Sequence, residues 1–227
     1  MASGMIVGQF NDSFKPIMDG VGLCAENYTR WLDAKYGTAY AVVPHVPRYE
    51  DDDPFPVVRY PSLPIPVMPP YRLGVPWASP RVNKLLSWTR FDVVHSHSPF
   101  VAGRMARRTA EHHDIPHVTT FHTKYRDDID RFSPWDRMTE IIVNRIVRFY
   151  DGCDAVWTPS EATRRTLREY GYEGDITIAP NGSDLGRPTE SERCRYREKG
   201  DELVGADERT FVFLFVGQHR WEKNVEL

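Results

Sequence analysis

The sequence predicts an α/β fold, a Rossmann-like parallel sheet with helices on both of its faces. Short runs rich in Val, Ile, Phe and Thr alternate along the chain with longer segments of helical spacing, and this alternation is typical of βαβ units. Several short runs are almost entirely apolar, as expected for strands covered on both faces. With 227 residues, 41% of them hydrophobic, the chain is long enough for one large domain, or for one domain and part of another.

The short apolar runs predict the strands of this sheet. In chain order they are Met5–Phe10, Tyr40–Pro44, Val57–Tyr60, Phe91–Ser96, His117–His122, Ala155–Thr158, Asp175–Ala179 and Thr210–Val216.

The segments between them predict helices. Met138, Ile142 and Ile146 recur every four residues, which makes the fourth helix the clearest. The predicted helices are Val21–Leu32, Pro80–Trp88, Val101–His112, Trp135–Tyr150 and Glu161–Tyr170.

Two segments interrupt the pattern. Nine of the 18 prolines lie between Pro54 and Pro80, so we predict an extended loop around a short strand there. From Gly186 to Arg209 the chain is highly charged and loses β character. We therefore predict a Rossmann-like domain over residues 1–186, a charged linker helix over 187–208, and the first strand of a second domain within 209–227.

Composition and charge exclude other classes of protein. Lys and Arg number 29 against 32 Asp and Glu, a net charge of −3, which argues against a nucleic-acid-binding module. No apolar run approaches the roughly 18 residues of a transmembrane helix, and no signal-type segment begins the sequence, so we expect a cytoplasmic protein. Cys24, Cys153 and Cys194 are far apart, which predicts reduced thiols with neither a disulfide nor a metal.

A glycine-containing loop follows the first strand. Gly20-Val-Gly22-Leu-Cys-Ala25 matches Gly-x-Gly-x-x-Ala, but about ten residues separate it from that strand. The second strand ends in Val42-Val43-Pro44 without the acidic residue that a ribose requires, so a nicotinamide or flavin site is disfavoured. Two readings stay open: an anion site at a helix N-terminus, or a turn that packs the helix on the sheet.

Three histidines lie at the ends of the fourth and fifth predicted strands. Because ligands bind at the carboxyl ends of parallel strands, His95, His97 and His122 are expected to converge in a cleft. No carboxylate or helical His-x-x-x-His frame supports zinc, and His95 can equally be a packing residue. His122, beside Thr123 and Lys124, is the better candidate for a hydrogen bond to a hydroxyl-rich ligand.

Two acidic pairs have the spacing of metal clamps for sugar nucleotides. Asp51 and Asp53 lie in a charged loop, and Asp128 and Asp130 lie on a predicted helix where residues two apart do not share a face. We interpret both pairs as solvated charge.

Six motifs in order resemble the N-terminal half of retaining glycosyltransferases of family 4, in particular the bacterial enzymes that glycosylate diacylglycerol and related acceptors. These motifs are Pro16–Val21, His95–Pro99, Thr120–Thr123, Asp154–Ser160, Ile178–Asp184, and Phe215–Gly217 with Glu222–Asn224. The resemblance implies a GT-B architecture of two Rossmann-like domains, the first mostly binding the acceptor and the second mostly binding the sugar nucleotide. It implies transfer with retention, a nucleotide sugar as co-substrate, a lipid or sugar acceptor, and neither a metal nor another cofactor.

The resemblance also implies the site residues. Gly20 is similar to the loop glycine whose backbone approaches the donor diphosphate, and His122 to the histidine that hydrogen-bonds the transferred sugar and is assigned here as catalytic. The other substrate-binding residues that it implies are Asp19, Val21, Gly22, His95, His97, Thr123, Lys124, Asn181, Gln218, Arg220 and Lys223.

The sequence departs from the family pattern at the diphosphate site. Gln218 stands where the family usually has an Arg, although Lys223 is present. Two alternatives follow: either Arg220 reaches the same phosphate, or the diphosphate site is weaker. The Glu-x7-Glu element and the nucleoside pocket of the family do not occur in this sequence. If these residues were the whole functional chain, we would expect no efficient turnover.

Two other functions remain open at this point. A sugar-nucleotide epimerase of the same architecture could use His95 or His122 in acid–base chemistry, and a non-catalytic protein could only bind the acceptor. Peripheral contact with the inner face of a membrane is also open, because basic residues form either a surface for anionic lipids or a solvated helix face. These residues are Lys124, Arg126, Arg137, Arg145 and Arg148.

Overall fold

A computed structural model describes residues 4–132, 136–182, 186–207 and 210–217 of the chain. The chain divides into two compact units, Met1–Gly182 and Ser183–Leu227, a few residues from the predicted boundary at residue 186.

The first unit contains a seven-stranded sheet in which every neighbouring pair is parallel. The prediction of a parallel Rossmann-like sheet is therefore confirmed. Its strands lie in the order β3-β2-β1-β6-β7-β8-β9 and are β1 (Met5–Phe10), β2 (Gly37–Pro44), β3 (Val57–Tyr60), β6 (Val93–Ser96), β7 (His117–Thr120), β8 (Ala155–Thr158) and β9 (Thr177–Ile178).

Side chains that hydrogen-bond the first turn fix where several helices of this unit begin. Ser79 caps one helix directly before Pro80, and Ser160 caps another through the backbone N–H of Thr163 at 3.2 Å. The helices are α1 (Gly20–Lys35), α2 (Pro80–Trp88), α3 (Val101–His113), α4 (Tyr125–Phe132), α5 (Asp136–Asp151) and α6 (Glu161–Glu169). Trp135, the predicted first residue of α5, lies outside the described residues.

Helices cover both faces of the sheet. Val94 of β6 packs in a core with Ala102 and Met105 of α3, whereas the next residue, His95, contacts Tyr28 of α1. Because successive side chains of a strand point to opposite faces, α1 and α3 lie on opposite sides of the sheet.

The strand order reverses between β1 and β6, where Gln9 is directly beside His95. Such a reversal leaves a crevice at the carboxyl ends of the strands, which is where ligands bind in open α/β sheets. β7 ends at Thr120, two residues earlier than predicted, so His122 stands in the loop beyond the strand.

The proline-rich segment has more structure than predicted. It forms an antiparallel hairpin of β4 (Ser62–Pro64) and β5 (Arg72–Gly74), followed by a short 3-10 helix, Pro76–Ala78. Strands of three residues are too short to carry a periodic signal, and prolines lie within or close to both of them, so the sequence could not define them.

The second unit contains helix α7 (Glu190–Val204), within the segment predicted as a linker helix. Thr189 and Glu192 form a reciprocal capping box at its start, and Gly205 ends it with φ of 65°. None of its side chains is buried.

The predicted strand Thr210–Val216 is not formed in the described residues. Its side chains are exposed, Phe213 at 94%, and no described strand pairs with it. An apolar run becomes a strand only when a neighbour binds its backbone N–H and C=O groups, so this prediction is wrong for the structure described. Among the described residues, no helix combines the length and apolar character needed to cross a bilayer.

Candidate functional site

A chain of hydrogen-bonded side chains lies at the crevice where the strand order reverses. His97, just beyond β6, bonds to His122 beyond β7, with 3.0 Å between Nδ1 of His97 and Nε2 of His122. On its other side, His97 Nε2 lies 2.8 Å from Oε1 of Gln9 in β1. Gln9 and His97 are buried, whereas His122 is half-buried. The predicted convergence of His97 and His122 is therefore present in the structure.

Helix α1 covers these hydrogen-bonded side chains from one face of the sheet. The Sγ of Cys24 and one ring nitrogen each of His97 and His122 lie within 4.8 Å of one another. The Cys24 thiol donates a hydrogen bond of 3.2 Å to Oδ1 of Asn181, which brings that predicted site residue to the same place. One turn further along α1, the Tyr28 ring centroid lies 5.7 Å from that of His97.

His95 is enclosed by protein groups. Its Nε2 lies 2.8 Å from Oγ1 of Thr120, and its ring packs against the rings of Tyr28, His97 and Trp157. Because the side chain is buried and hydrogen-bonded, it fits the packing reading left open by the sequence.

Burial keeps the site uncharged at neutral pH. It lowers the pKa of His122 to about 4 and that of His95 to about 3, and it lowers the pKa of His97 well below the ordinary value. It also raises the pKa of the Cys24 thiol to about 11. The site therefore presents neutral hydrogen-bonding groups rather than charges.

The N-terminus of α1 borders this site, because Gly20 lies one turn before Cys24. Asp19 caps the helix, accepting 2.7 Å from the Gly22 N–H and a second hydrogen bond from the Ser13 hydroxyl. In the described residues, no acceptor meets the backbone N–H groups of Gly20 and Val21.

The two glycines of this turn differ in their surroundings. A Cβ added to Gly22 would lie 3.3 Å from Oδ1 of Asp19, so packing accounts for that glycine. A Cβ added to Gly20 would meet nothing within 4 Å, so packing does not account for this one.

The family pattern described as Glycosyltransferase Family 4 matches residues 18–187, most of the chain. The chain belongs to this family. It is 27% identical to the Alpha-monoglucosyldiacylglycerol synthase of Acholeplasma laidlawii, covering 80% of this chain and 47% of that protein. It is 26% identical to the synthase of the same name from Streptococcus pneumoniae, covering 98% and 51%.

Two further proteins are similar. The GDP-mannose-dependent alpha-mannosyltransferase of Corynebacterium glutamicum is 27% identical, covering 95% of this chain and 51% of that protein. The crystal structure of a glycosyltransferase from Rickettsia africae superposes with a TM-score of 0.52 at 13% identity, covering 92% and 52%, and shows the likeness of fold. This family 4 chain thus spans about half the length of the curated relatives that it matches.

The remaining predicted site residues of this family 4 chain are placed as follows. Thr123 is half-buried and Lys124 is exposed, both in the loop between β7 and α4, directly beyond His122. Gln218, Arg220 and Lys223 lie outside the described residues, so their assignment stays a prediction.

Cys24, His97 and His122 are the described residues that come nearest to a metal-ligand set. Thiolate and imidazole are ligands that zinc accepts. The cluster differs from the His95, His97 and His122 set that the sequence suggested, because His95 is bonded to Thr120. Metal binding by His97 and His122 together would break the 3.0 Å hydrogen bond between them, so the geometry fits a hydrogen-bond chain better than a metal centre.

The first acidic pair is structural. Asp51 binds the Arg59 guanidinium through both carboxylate oxygens, at 2.7 and 3.1 Å, and Asp53 pairs with Lys15 at 2.5 Å. The interpretation as solvated charge is wrong for Asp53, whose side chain is 1% exposed and pairs with a lysine 38 positions away in the sequence. Asp51 is exposed, as that interpretation expects, although it is paired with Arg59. For the second acidic pair the interpretation stays a prediction, because the side chain of Asp128 is not among the side chains that the structure describes.

Three residues that lie at the site were not predicted as site residues: Gln9, Cys24 and Tyr28. Gln9 carried a signal, because it is a polar residue within the apolar run of β1. Cys24 and Tyr28 are four residues apart, and such a pair shares one helix face, but nothing in the spacing indicated which face turns toward the histidines.

Proposed function

We propose that this chain is the acceptor-side half of a retaining, metal-independent glycosyltransferase that moves a sugar from a nucleotide sugar to a lipid hydroxyl. The observation that carries the proposal is the position of His122, a neutral imidazole at the mouth of the crevice beside the N-terminus of α1. The names of the family 4 relatives, two diacylglycerol glucoside synthases and a mannosyltransferase, support the substrate classes.

The N-terminus of α1 supplies part of what the reaction needs. Breaking the anomeric bond leaves negative charge on a diphosphate, which backbone N–H groups at a helix N-terminus stabilise. The free N–H groups of Gly20 and Val21 are available for that role, whereas the carboxylate of Asp19 opposes an anion. Additional positive charge is therefore needed to hold the diphosphate.

The neutral state of His122 supports a binding role over acid–base chemistry. A group whose pKa is about 4 is a weak base at pH 7 and holds no proton to give as an imidazolium. A neutral imidazole does hydrogen-bond a sugar hydroxyl. A neutral His122 therefore favours transfer over the epimerase alternative, which needs acid–base chemistry.

Transfer is best tested on the polypeptide that the native organism produces, with its intact mass determined first. It is incubated with UDP- and GDP-sugars and with vesicles that contain diacylglycerol or a glucosyldiacylglycerol. A glycolipid with the anomeric configuration of the donor, formed equally in EDTA, is the expected product. Epimerised nucleotide sugar without glycolipid, or transfer that EDTA abolishes, would contradict the proposal.

We also propose peripheral contact with an anionic membrane through α2. Four of its exposed residues recur at spacings of three and four and so share one face of the helix, namely Arg81, Lys84, Leu85 and Trp88. Trp88 is 72% exposed and Trp77, in the preceding 3-10 helix, is 70% exposed. Exposed tryptophans beside basic residues suit the headgroup region of a bilayer. The predicted alternative surface is weaker, because Arg126 there is paired with Glu140 at 2.8 Å.

Vesicle co-sedimentation tests this contact. Changing Trp77→Ser and Trp88→Ser together should reduce binding to phosphatidylglycerol vesicles about tenfold, and Lys84→Gln should reduce it about fivefold, since one basic residue contributes about 1 kcal/mol. Trp31→Ser is a matched control, because Trp31 is also exposed and lies beneath Lys35, but on α1. Equal losses in the control and the α2 variants would overturn the assignment.

A further inference from the structure

We infer that Gln9 is a positioning residue which, through His97, fixes the tautomer of His122 and leaves Nδ1 of His122 as a bare hydrogen-bond acceptor at the mouth of the crevice. The inference deepens the proposed function and rests on it for the identity of the ligand. Its geometric basis is the pair of hydrogen bonds that link Gln9 to His97 and His97 to His122.

The first step concerns Gln9 and His97. Oε1 of Gln9 is a carbonyl oxygen and only accepts, so His97 Nε2, 2.8 Å away, carries the hydrogen. Both side chains are buried, Gln9 at 1% and His97 at 0% exposure, so no solvent competes for this bond.

The tautomer of His97 determines that of His122. A neutral imidazole carries one hydrogen, so Nδ1 of His97 is bare and accepts. Nε2 of His122, 3.0 Å from that nitrogen, is then the donor. The hydrogen of His122 is therefore on Nε2, and Nδ1 of His122 is bare.

Nδ1 of His122 is left for a ligand. No side chain or backbone group in the described parts of the chain hydrogen-bonds Nδ1 of His122, and the residue is half-buried at the crevice. This nitrogen can accept a hydrogen bond from a ligand but cannot give one. The site consequently selects a donor group, such as a sugar hydroxyl, and rejects an acceptor such as a ketone or ether oxygen at that point.

The consequence for Gln9 is specific. Its side chain is buried and bonds to His122 only through His97. Gln9 therefore acts on a ligand only by holding the two imidazoles in one of their two tautomeric arrangements. A glutamate at position 9 preserves the acceptor, whereas a leucine removes it.

Long-range 1H–15N correlation spectra of the 227-residue chain, selectively labelled at histidine, measure the tautomers directly. The signals are assigned through His97→Gln and His122→Gln. At pH 7 we expect both His97 and His122 as the Nε2–H form. A dominant Nδ1–H form at either residue would overturn the inference, and this measurement needs no variant of Gln9 and no substrate.

Variants of Gln9 then test its role. Gln9→Leu should give averaged nitrogen shifts for His97 and His122, because both tautomers become populated, while Gln9→Glu should keep the Nε2–H form at both. Thr120→Val is the matched control: it removes the buried partner of His95 and should leave the shifts of His122 unchanged. Unchanged shifts in Gln9→Leu, or equal changes in Thr120→Val, would contradict the assignment to Gln9.

A binding measurement separates this inference from the proposed function. On the polypeptide that the native organism produces, Gln9→Leu should weaken binding of the nucleotide sugar about fivefold, and Gln9→Glu should restore it. If the tautomers agree with the inference but no nucleotide sugar binds the unaltered protein, the proposed function fails and the positioning role stands. If the sugar binds and the tautomers are reversed, the positioning role fails alone.

Discussion

Two buried polar clusters at the carboxyl edge of the same sheet differ in how completely protein groups satisfy them. The carboxylate of Asp12 accepts from the Ser98 hydroxyl at 2.6 Å, the Ala102 N–H at 3.0 Å and the Tyr60 hydroxyl at 3.2 Å. His122, in contrast, is bonded within the described residues through one nitrogen only. A cluster closed by protein partners holds elements together, whereas a cluster with one open atom is available to a ligand.

The clusters also respond oppositely to acid. Burial raises the pKa of Asp12 above its ordinary value, so the native state holds that proton more tightly than the unfolded chain does. Burial lowers the pKa of the histidines, so the native state binds their protons more weakly than the unfolded chain does. The contribution of Asp12 to stability therefore grows as pH falls, and that of the histidines declines.

The largest expected effect that follows from this contrast is acid destabilisation. The folded pKa values of about 3 for His95 and about 4 for His117 and His122 lie below the ordinary 6.5. Their stabilising effect is complete above pH 6.5, and each loses about 1.4 kcal/mol per pH unit as pH falls toward those values. Urea unfolding from pH 7 to pH 4.5 should show a total loss of several kcal/mol.

Single histidine variants make that prediction specific. His117→Gln should reduce the slope of stability against pH by about one proton. A flat profile across this range would show that the buried histidines titrate normally.

Replacing Asp12, whose carboxylate is fully bonded by protein groups, should produce the next largest effect on stability. Asp12→Ala leaves the Ser98 hydroxyl and the Ala102 N–H without their acceptor, so we expect a loss of about 3 kcal/mol in the free energy of unfolding. Urea unfolding at pH 7 measures it. A loss below about 1 kcal/mol would mean that water replaces the carboxylate and that the two clusters do not differ as described.

Replacing His122 should reduce sugar transfer more than it reduces the free energy of unfolding. His122→Ala should reduce transfer by the polypeptide that the native organism produces about 10- to 100-fold, while unfolding costs about 1 kcal/mol, because one hydrogen bond to His97 is lost. Initial rates and urea unfolding give the two values. A stability loss as large as that of Asp12→Ala with unchanged transfer would reverse the comparison.

The smallest effect is expected at Gly20, which lies at the edge of the open cluster. Because its added Cβ meets no atom, Gly20→Ala should change stability by less than about 0.5 kcal/mol. If the donor diphosphate approaches that backbone, the same variant should weaken nucleotide-sugar binding severalfold, as isothermal titration would measure. Binding equal to that of the unaltered protein would leave the turn without a ligand role.

The sequence predicted the strands of this sheet well because continuous apolar runs and their Gly and Pro boundaries are local signals. Val57–Tyr60 and Ala155–Thr158 coincide with β3 and β8. Thr210–Val216 carried the same local signal and still formed no strand, because strand formation depends on a partner that a run of residues does not specify.

The candidate site was predictable only in part for the same reason. His97 and His122 follow strands that pair in the sheet, so the rule of strand ends brought them together. The partners Gln9, Cys24 and Asn181 come from β1, α1 and the segment after β9, and their meeting depends on the tertiary arrangement. Likewise, the saturation of Asp12 and the exposed nitrogen of His122 depend on side-chain geometry that spacing does not contain.

The uncharged state of the histidine cluster has a kinetic consequence. Neutral imidazoles exert no long-range attraction on a negatively charged nucleotide, so this part of the crevice does not steer the encounter by its electric field. The histidines would therefore add nothing to the ionic-strength dependence of the association rate, and their contribution to selection would lie in how long the ligand stays bound.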